Sequence, residues 1–125
     1  MFKDSQAFSG FSVDNQDEAK AFYAEVLGLE VEDTGMGLNV AIAGRTPVFV
    51  YRKANHVPAS YTVLNFPVQD INAAVQALVD KGVTLERYDG LTDEAGIARG
   101  KSVGRGPDIA WFKDPAGNIL SVLCD

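Results

Sequence analysis

Phe11-Ser12-Val13-Asp14-Asn15 leads into a helical stretch that closes at Leu27-Gly28-Leu29. About 55 residues later Phe66-Pro67-Val68-Gln69-Asp70 leads into one that closes at Lys81-Gly82-Val83. The chain therefore repeats one small unit, and equivalent positions in the two copies become comparable. Each copy opens on an alternating strand. Over 7–13, Ser9, Phe11 and Val13 take one face and Phe8, Gly10 and Ser12 the other; in the strand over 61–67, Leu64, Phe66 and Val68 oppose Val63, Asn65 and Pro67. Asn15 with Glu18 three residues on is a capping-box start for a helix carrying Ala19, Phe22, Tyr23, Val26 and Leu27 at helical spacing. Asp70 starts the second helix, whose stripe is Ile71, Ala74, Val75, Leu78 and Val79.

Outward from these anchors, Leu29 to Val31, Leu38 to Ala43 and Val48 to Tyr51 are short apolar pieces punctuated by Gly35, Gly37, Gly44 and Pro47, the pattern of a β-meander. Residues 7–53 thus read as a β-α-β-β-β module, and the polar stretch 54–60, with Pro58, as a linker. Residues 61–125 read as a second such module. Its later strands are expected at Val83 to Leu85, Ile109 to Phe112 and Ile119 to Leu123, with a Gly-rich loop from Asp89 to Pro107 ahead of the third strand. Asp114-Pro115-Ala116-Gly117 predicts a type I turn, because proline presets φ at the second position and Asp and Gly suit the ends. The class is α+β, with one domain over 1–125 made of two half-domains.

Composition narrows the function. Apolar residues at 46% and charged residues at 22% are those of a globular protein. No apolar run approaches the ~18–20 residues that span a bilayer, and the first residues lack a basic-then-apolar leader, so a cytoplasmic protein is expected. A net charge of -6 argues against nucleic acid or an anionic membrane as partner and favours a cationic or neutral ligand. The single cysteine, Cys124, excludes an intrachain disulfide and reads as a passive small residue.

The duplicated unit, with Val13-Asp14-Asn15 and Ala21-Phe22-Tyr23-Ala24-Glu25-Val26-Leu27-Gly28-Leu29 in the first copy and Asp114-Pro115-Ala116-Gly117-Asn118-Ile119-Leu120 closing the second, resembles the vicinal oxygen chelate superfamily. That group includes glyoxalase I, extradiol dioxygenases, fosfomycin-resistance enzymes and bleomycin-resistance proteins. The resemblance implies a curved, cup-like mixed sheet with helices packed outside, and assembly as a homodimer. In metal-dependent members, the first and last strands of each module supply metal ligands. By that resemblance the ligand positions fall on Phe8, Val63 and Ser121, and on Phe49 or, two residues along, Tyr51. None is a normal ligand. One His and one Cys cannot build a two-His-one-carboxylate site within one chain, although an all-oxygen Mg²⁺ or Ca²⁺ site from carboxylates stays open.

The expectation that follows is a metal-independent binder of a small organic molecule, without cofactor. Its site would be built from Phe8, Ser12, Phe49, Tyr51, Val63, Asn65, Trp111 and Ser121. The same side chains could instead form a second core or a subunit interface. Trp111 could stack on a planar ligand or pack inside, and sequence leaves its face open. The rival is a glyoxalase-, lyase- or dioxygenase-type enzyme with an atypical metal site or metal-free acid/base chemistry using Tyr51 or a carboxylate. His56, in the linker, reads as a surface or turn residue. Gly96 to Ser102 imitates a phosphate loop but has one residue too few between its glycines and opens no helix. The loop could act as a lid whose Arg99, Lys101 and Arg105 meet an anion, or be an ordinary solvated loop.

Overall fold

Asn15 and Asp70 are extended residues whose side chains accept from the backbone N–H three residues ahead, of Glu18 at 3.0 Å and of Ala73 at 3.1 Å. Each thereby satisfies one of the donors that a helix start leaves open. In the computed structural model, which describes residues 1–125, the chain divides into two units, Met1–Pro58 and Ala59–Asp125.

In the first unit, β1 (Gly10–Val13) leads through α1 (Gln16–Ala21) to β2 (Val31–Asp33), β3 (Leu38–Val40) and β4 (Val48–Arg52). The spatial order is β1-β4-β3-β2, with β1 and β4 parallel and the rest antiparallel. The first helix departs from the uniform one expected. Over Phe22–Val26 it widens into a π-turn, in which Leu27 N–H donates to the Phe22 carbonyl at 3.0 Å. The two adjacent aromatics in this turn are both buried, Phe22 and Tyr23 meeting edge to face at 5.3 Å. A wider turn lets two neighbouring bulky side chains share the core side of the helix. Gly28, at φ 72°, then ends it. Val13, Leu38, Val40 and Val50 are fully buried on the helix face of the sheet.

In the second unit, β5 (Thr62–Pro67) and α2 (Ile71–Asp80) precede β6 (Ile97–Arg99), β7 (Asp108–Lys113) and β8 (Ile119–Cys124). The order β5-β8-β7-β6, with β5 and β8 parallel, repeats the first unit. Ile71, Val75 and Leu78 bury their stripe, and Ile97, Ala110, Phe112, Leu120 and Val122 form the other side of that core. The buried Cys124 thiol donates to the Gln69 carbonyl at 3.3 Å. No helix is long and apolar enough to cross a membrane.

One strand is not where the sequence pattern puts it. Val83 to Leu85 contributes only an isolated bridge, Leu85 to Phe112, and the sheet edge belongs to Ile97–Arg99, inside the segment expected to be an uninterrupted loop. Asp93 explains the difference. Its Oδ1 accepts from the N–H groups of Ala95 and Ile97, both at 2.9 Å, and its own N–H donates to the Ile97 carbonyl at 2.8 Å. This closed turn delivers Ile97 opposite Ala110, where it is buried.

The turn between β7 and β8 is held by a carboxylate. Asp114 Oδ1 accepts from the N–H groups of Ala116 (3.0 Å) and Asn118 (2.9 Å), and its Oδ2 from the Asn118 amide at 2.9 Å, with both side chains buried. The Gly117 N–H donates to the Asp114 carbonyl at 3.0 Å, closing the turn. Asp114→Ala orphans these buried donors and is expected to cost about 2–3 kcal/mol. Denaturant unfolding measures it, and a loss below about 0.5 kcal/mol, the level of an ordinary surface change, would contradict this role.

Candidate functional site

In each unit the helix covers one sheet face and leaves the other bare. On the bare face of the first unit, register pairs Ser12 with Tyr51 and Gly10 with Phe49, and period-two alternation turns Ser12, Phe49 and Tyr51 to the same side. The Phe49 and Tyr51 rings stack at 5.6 Å and 19°. A Cβ at Gly37 would lie 2.7 Å from the edge of the Phe49 ring, so only glycine lets that ring lie against β3. Phe8, 67% exposed, joins Phe49, Asn39, Thr46 and Pro47 around a shallow hollow of about 380 Å³. The Thr46 hydroxyl donates to the Ala7 carbonyl at 3.0 Å, tethering the residues that precede β1.

His56 comes into this site, where sequence reading put a surface or turn residue. Its Nδ1 lies 2.6 Å from the Ser12 hydroxyl, and both side chains are half-buried. They are 44 residues apart, and no motif spacing links them. Local signals could not have found the pair.

On the second unit's bare face, register aligns Asn65 with Ser121 and Ser121 with Trp111. The Ser121 hydroxyl donates to Asn65 Oδ1 at 2.5 Å; Ser121 is fully buried, whereas Asn65 is exposed. Ser121 therefore positions the Asn65 amide. Val63, half-buried, falls where the β5 to β8 register shifts between Thr62 and Leu64. Trp111 is half-buried and turns its ring to the bare face, with Tyr88 edge-on at 5.4 Å. It forms, with Ala98 and Ile109, the floor of a hollow of about 790 Å³. Leu91, Val103 and Arg105 also line it, so residues from the Asp89 to Pro107 segment on both sides of β6 contribute to the hollow. This volume is within the range of small-molecule sites.

Beside the hollow, Arg99 links three elements. Its Nε donates to Asp93 Oδ2 at 2.9 Å, one terminal nitrogen donates to Asn72 Oδ1 of α2 at 2.8 Å, and the other lies 3.9 Å from Asp108 Oδ2 on β7. Burial pushes the Asp93 carboxyl up, but the N–H groups of Ile97 and Ala95 and the Arg99 guanidinium together outweigh it. Its pKa consequently lies below the ordinary 3.8.

The donor set does not fit the transition-metal site of metal-dependent relatives. The positions that the resemblance marks for ligands hold Phe8, Phe49 or Tyr51, Val63 and Ser121. No group of three or more His, Cys, Asp or Glu side chains comes together anywhere in the chain. His56 meets Ser12 and Cys124 faces Gln69, so neither converges on a shared centre.

A tandem β-α-β-β-β architecture with bare sheet faces defines a glyoxalase-type protein. The sequence profile of the Glyoxalase/Bleomycin resistance protein/Dioxygenase superfamily matches residues 7–122, and the chain belongs to that superfamily. Among solved structures it is similar to a member of the same superfamily from Sphaerobacter thermophilus DSM 20745 (23% identity, TM-score 0.66, 95% of this chain and 97% of that one). It is similar also to TnmS3, an antibiotic binding protein from Streptomyces sp. CB03234 (24% identity, TM-score 0.65, 94% of each chain). A third likeness is to a glyoxalase/dioxygenase from Nostoc punctiforme (14% identity, TM-score 0.68, 99% of this chain and 92% of that one). A comparison with curated protein sequences finds no match.

The lowered Asp93 pKa fixes the sign of a pH effect. A carboxylate whose folded pKa is depressed contributes stability that is present above its unfolded pKa and lost as pH falls through the folded value. Asp93→Asn should therefore lower the unfolding midpoint near neutral pH, and the gap to wild type should close as pH drops below the ordinary value of 3.8. Thermal melts between about pH 7 and about pH 3 measure this, and a gap that stays constant would remove Asp93 from that role.

Proposed function

We propose that this chain is a metal-independent small-molecule-binding protein of the glyoxalase/bleomycin-resistance type, taking an organic ligand against the aromatic floor of its second unit. The observation that carries the reading is the 790 Å³ hollow with the chain's only tryptophan in its floor. Small ligands occupy hollows that combine apolar residues, here Leu91, Ala98, Val103, Ile109 and Trp111, with polar ones that orient them, and an indole offers area at little entropic cost. Two large apolar side chains at the hollow, Leu91 and Val103, are 55% and 64% exposed, which a bound ligand would relieve. The likeness to an antibiotic-binding protein supports a binder on this fold without naming the ligand. The absence of a converging donor set supports independence from a metal.

Because Trp111 is the only tryptophan, ¹⁵N labelling gives one indole N–H signal that reports on the hollow. Screening planar aromatic compounds should shift that signal saturably, with one ligand per chain, and should do so equally after exhaustive dialysis against a chelator. Trp111→Ala should weaken the same compounds at least tenfold, about 1.4 kcal/mol, when followed by calorimetry. A screen in which nothing moves the indole signal, or binding that chelation abolishes and added metal restores, would overturn the reading.

A second reading, acid/base catalysis without a metal, is favoured by the Ser12 and His56 pair beside Tyr51. It requires chelator-treated protein to turn over a glyoxalase-type substrate, such as the hemithioacetal of methylglyoxal and glutathione. His56→Gln should then lower that rate by at least about 100-fold. Equal rates in the two proteins would remove His56 from the chemistry.

A further inference from the structure

Although the chain as a whole is acidic, the hollow of the second unit is not. Three charged side chains line it, Asp93, Arg99 and Arg105. Asp93 is fully engaged: Arg99 and two backbone N–H groups donate to it. Arg99 is engaged in turn by Asp93 and Asn72. The lining hydroxyls have also given up their protons, Thr92 to the Tyr88 carbonyl and Ser102 to the Arg99 carbonyl. Lys101, on the same loop, sends its ammonium to the Asp125 carbonyl at 3.1 Å.

Two donors remain without an acceptor in the chain, the Arg105 guanidinium and the Trp111 indole N–H. Arg105 stands on a built loop. It lies between Gly104 and Gly106, at φ 67° and 99°, and its N–H donates to the Gly100 carbonyl at 2.8 Å. At Gly100 a Cβ would come within 2.6 Å of the Pro107 carbonyl oxygen, so the two strands of the loop's neck touch. The hollow thus offers an aromatic floor, apolar walls and an uncommitted cation at the rim, with no uncommitted acid facing it.

From this arrangement we infer that the ligand is a planar aromatic monoanion, its ring over Trp111 and its carboxylate or equivalent acidic group at Arg105. The inference rests on the binding function proposed above and adds the charge of the ligand. It reverses what net charge suggests, because net charge counts groups spread over the surface, whereas a bound ligand makes its direct contacts with the side chains that line the hollow. Guanidinium matches a carboxylate through two parallel hydrogen bonds, which an amide of the same shape cannot receive as an ion pair.

The test uses the full ¹⁵N-labelled chain, the Trp111 indole signal and three probes of one shape: 2-naphthoate, 2-naphthamide and 2-naphthylmethylammonium. The naphthoate should bind at least about fivefold tighter than the amide, the ammonium should bind most weakly, and raising salt from about 50 to about 500 mM should weaken the naphthoate alone. In Arg105→Gln, an exposed substitution whose unchanged unfolding midpoint verifies the fold, the naphthoate should fall to the level of the amide while the amide stays put. In Arg105→Lys part of the advantage should return. Equal affinity of naphthoate and amide in the wild-type protein, or an advantage that survives Arg105→Gln, would overturn the charge assignment while leaving the hollow as a binding site. If none of the three probes moves the indole signal, both the site and its charge assignment are overturned.

Discussion

The parallel pairing of the first and last strand in each unit is the constraint from which the rest follows. β1 lies beside β4 and β5 beside β8, and strands that run the same way cannot be joined by a tight turn. The chain must cross over, and in both units the segment leaving the first strand is a helix with an apolar stripe. That helix can bury its stripe only on one face of the sheet, so Val13, Leu38 and Val50 in one unit and Phe112, Leu120 and Val122 in the other are committed to the core. The opposite face is left bare by the same geometry. Ser12, Phe49 and Tyr51, and Asn65 and Trp111, lie on that face because alternation sends them away from the helices.

Much of this was legible in the sequence wherever the chemistry is local. Asn15 and Asp70 announce their helices because a cap needs only a side chain and an N–H three residues away. Asp114 announces its hairpin because the carboxylate, the proline and the glycine all act within five residues. Duplication carried that legibility further, since a second copy of the opening strand and helix implies that the topology of the first unit recurs in the second. What sequence did not disclose is non-local. Val83 to Leu85 and Ile97 to Arg99 are both short apolar pieces, and which one takes the sheet edge is decided by the Asp93 turn and by the fit of Ile97 against Ala110. The contact of Ser12 with His56 spans 44 residues and carries no pattern. Trp111 could be assigned to a face only once the register with Ser121 was known.

Candidate site residues also separate into different kinds once burial is known. Ser121 and Asn65 look alike in sequence, as polar residues on adjacent strands. Yet Ser121 is sealed in and Asn65 is exposed, so the buried hydroxyl fixes the orientation of a solvent-facing amide. Phe49 is likewise more than an apolar position. Its ring lies against the strand only because Gly37 has no side chain, and Tyr51 stacks on it, so a glycine from another segment lets two aromatics of one strand form a single surface.

The two units, for all their common topology, have diverged in what they leave open. In the first, Thr34 to Gly37 joins β2 to β3 by a tight turn, and the bare face carries only a shallow 380 Å³ depression. In the second, the matching connection from β6 to β7 is the longer stretch 100–107, another long stretch, 81–96, precedes β6, and the hollow beside Trp111 is larger, about 790 Å³. The same difference explains the chemistry of each face. The short β2 to β3 turn adds nothing to the first depression, which Phe8, Thr46 and Pro47 line together with the strand residues Asn39 and Phe49. A long loop brings Leu91, Val103 and Arg105, and it engages its own acid through the Arg99 contact before that acid can face a ligand. Loop length, acting on a duplicated scaffold, is therefore enough to give one copy an aromatic hollow with an arginine in its lining while the other keeps a half-buried hydroxyl and imidazole pair.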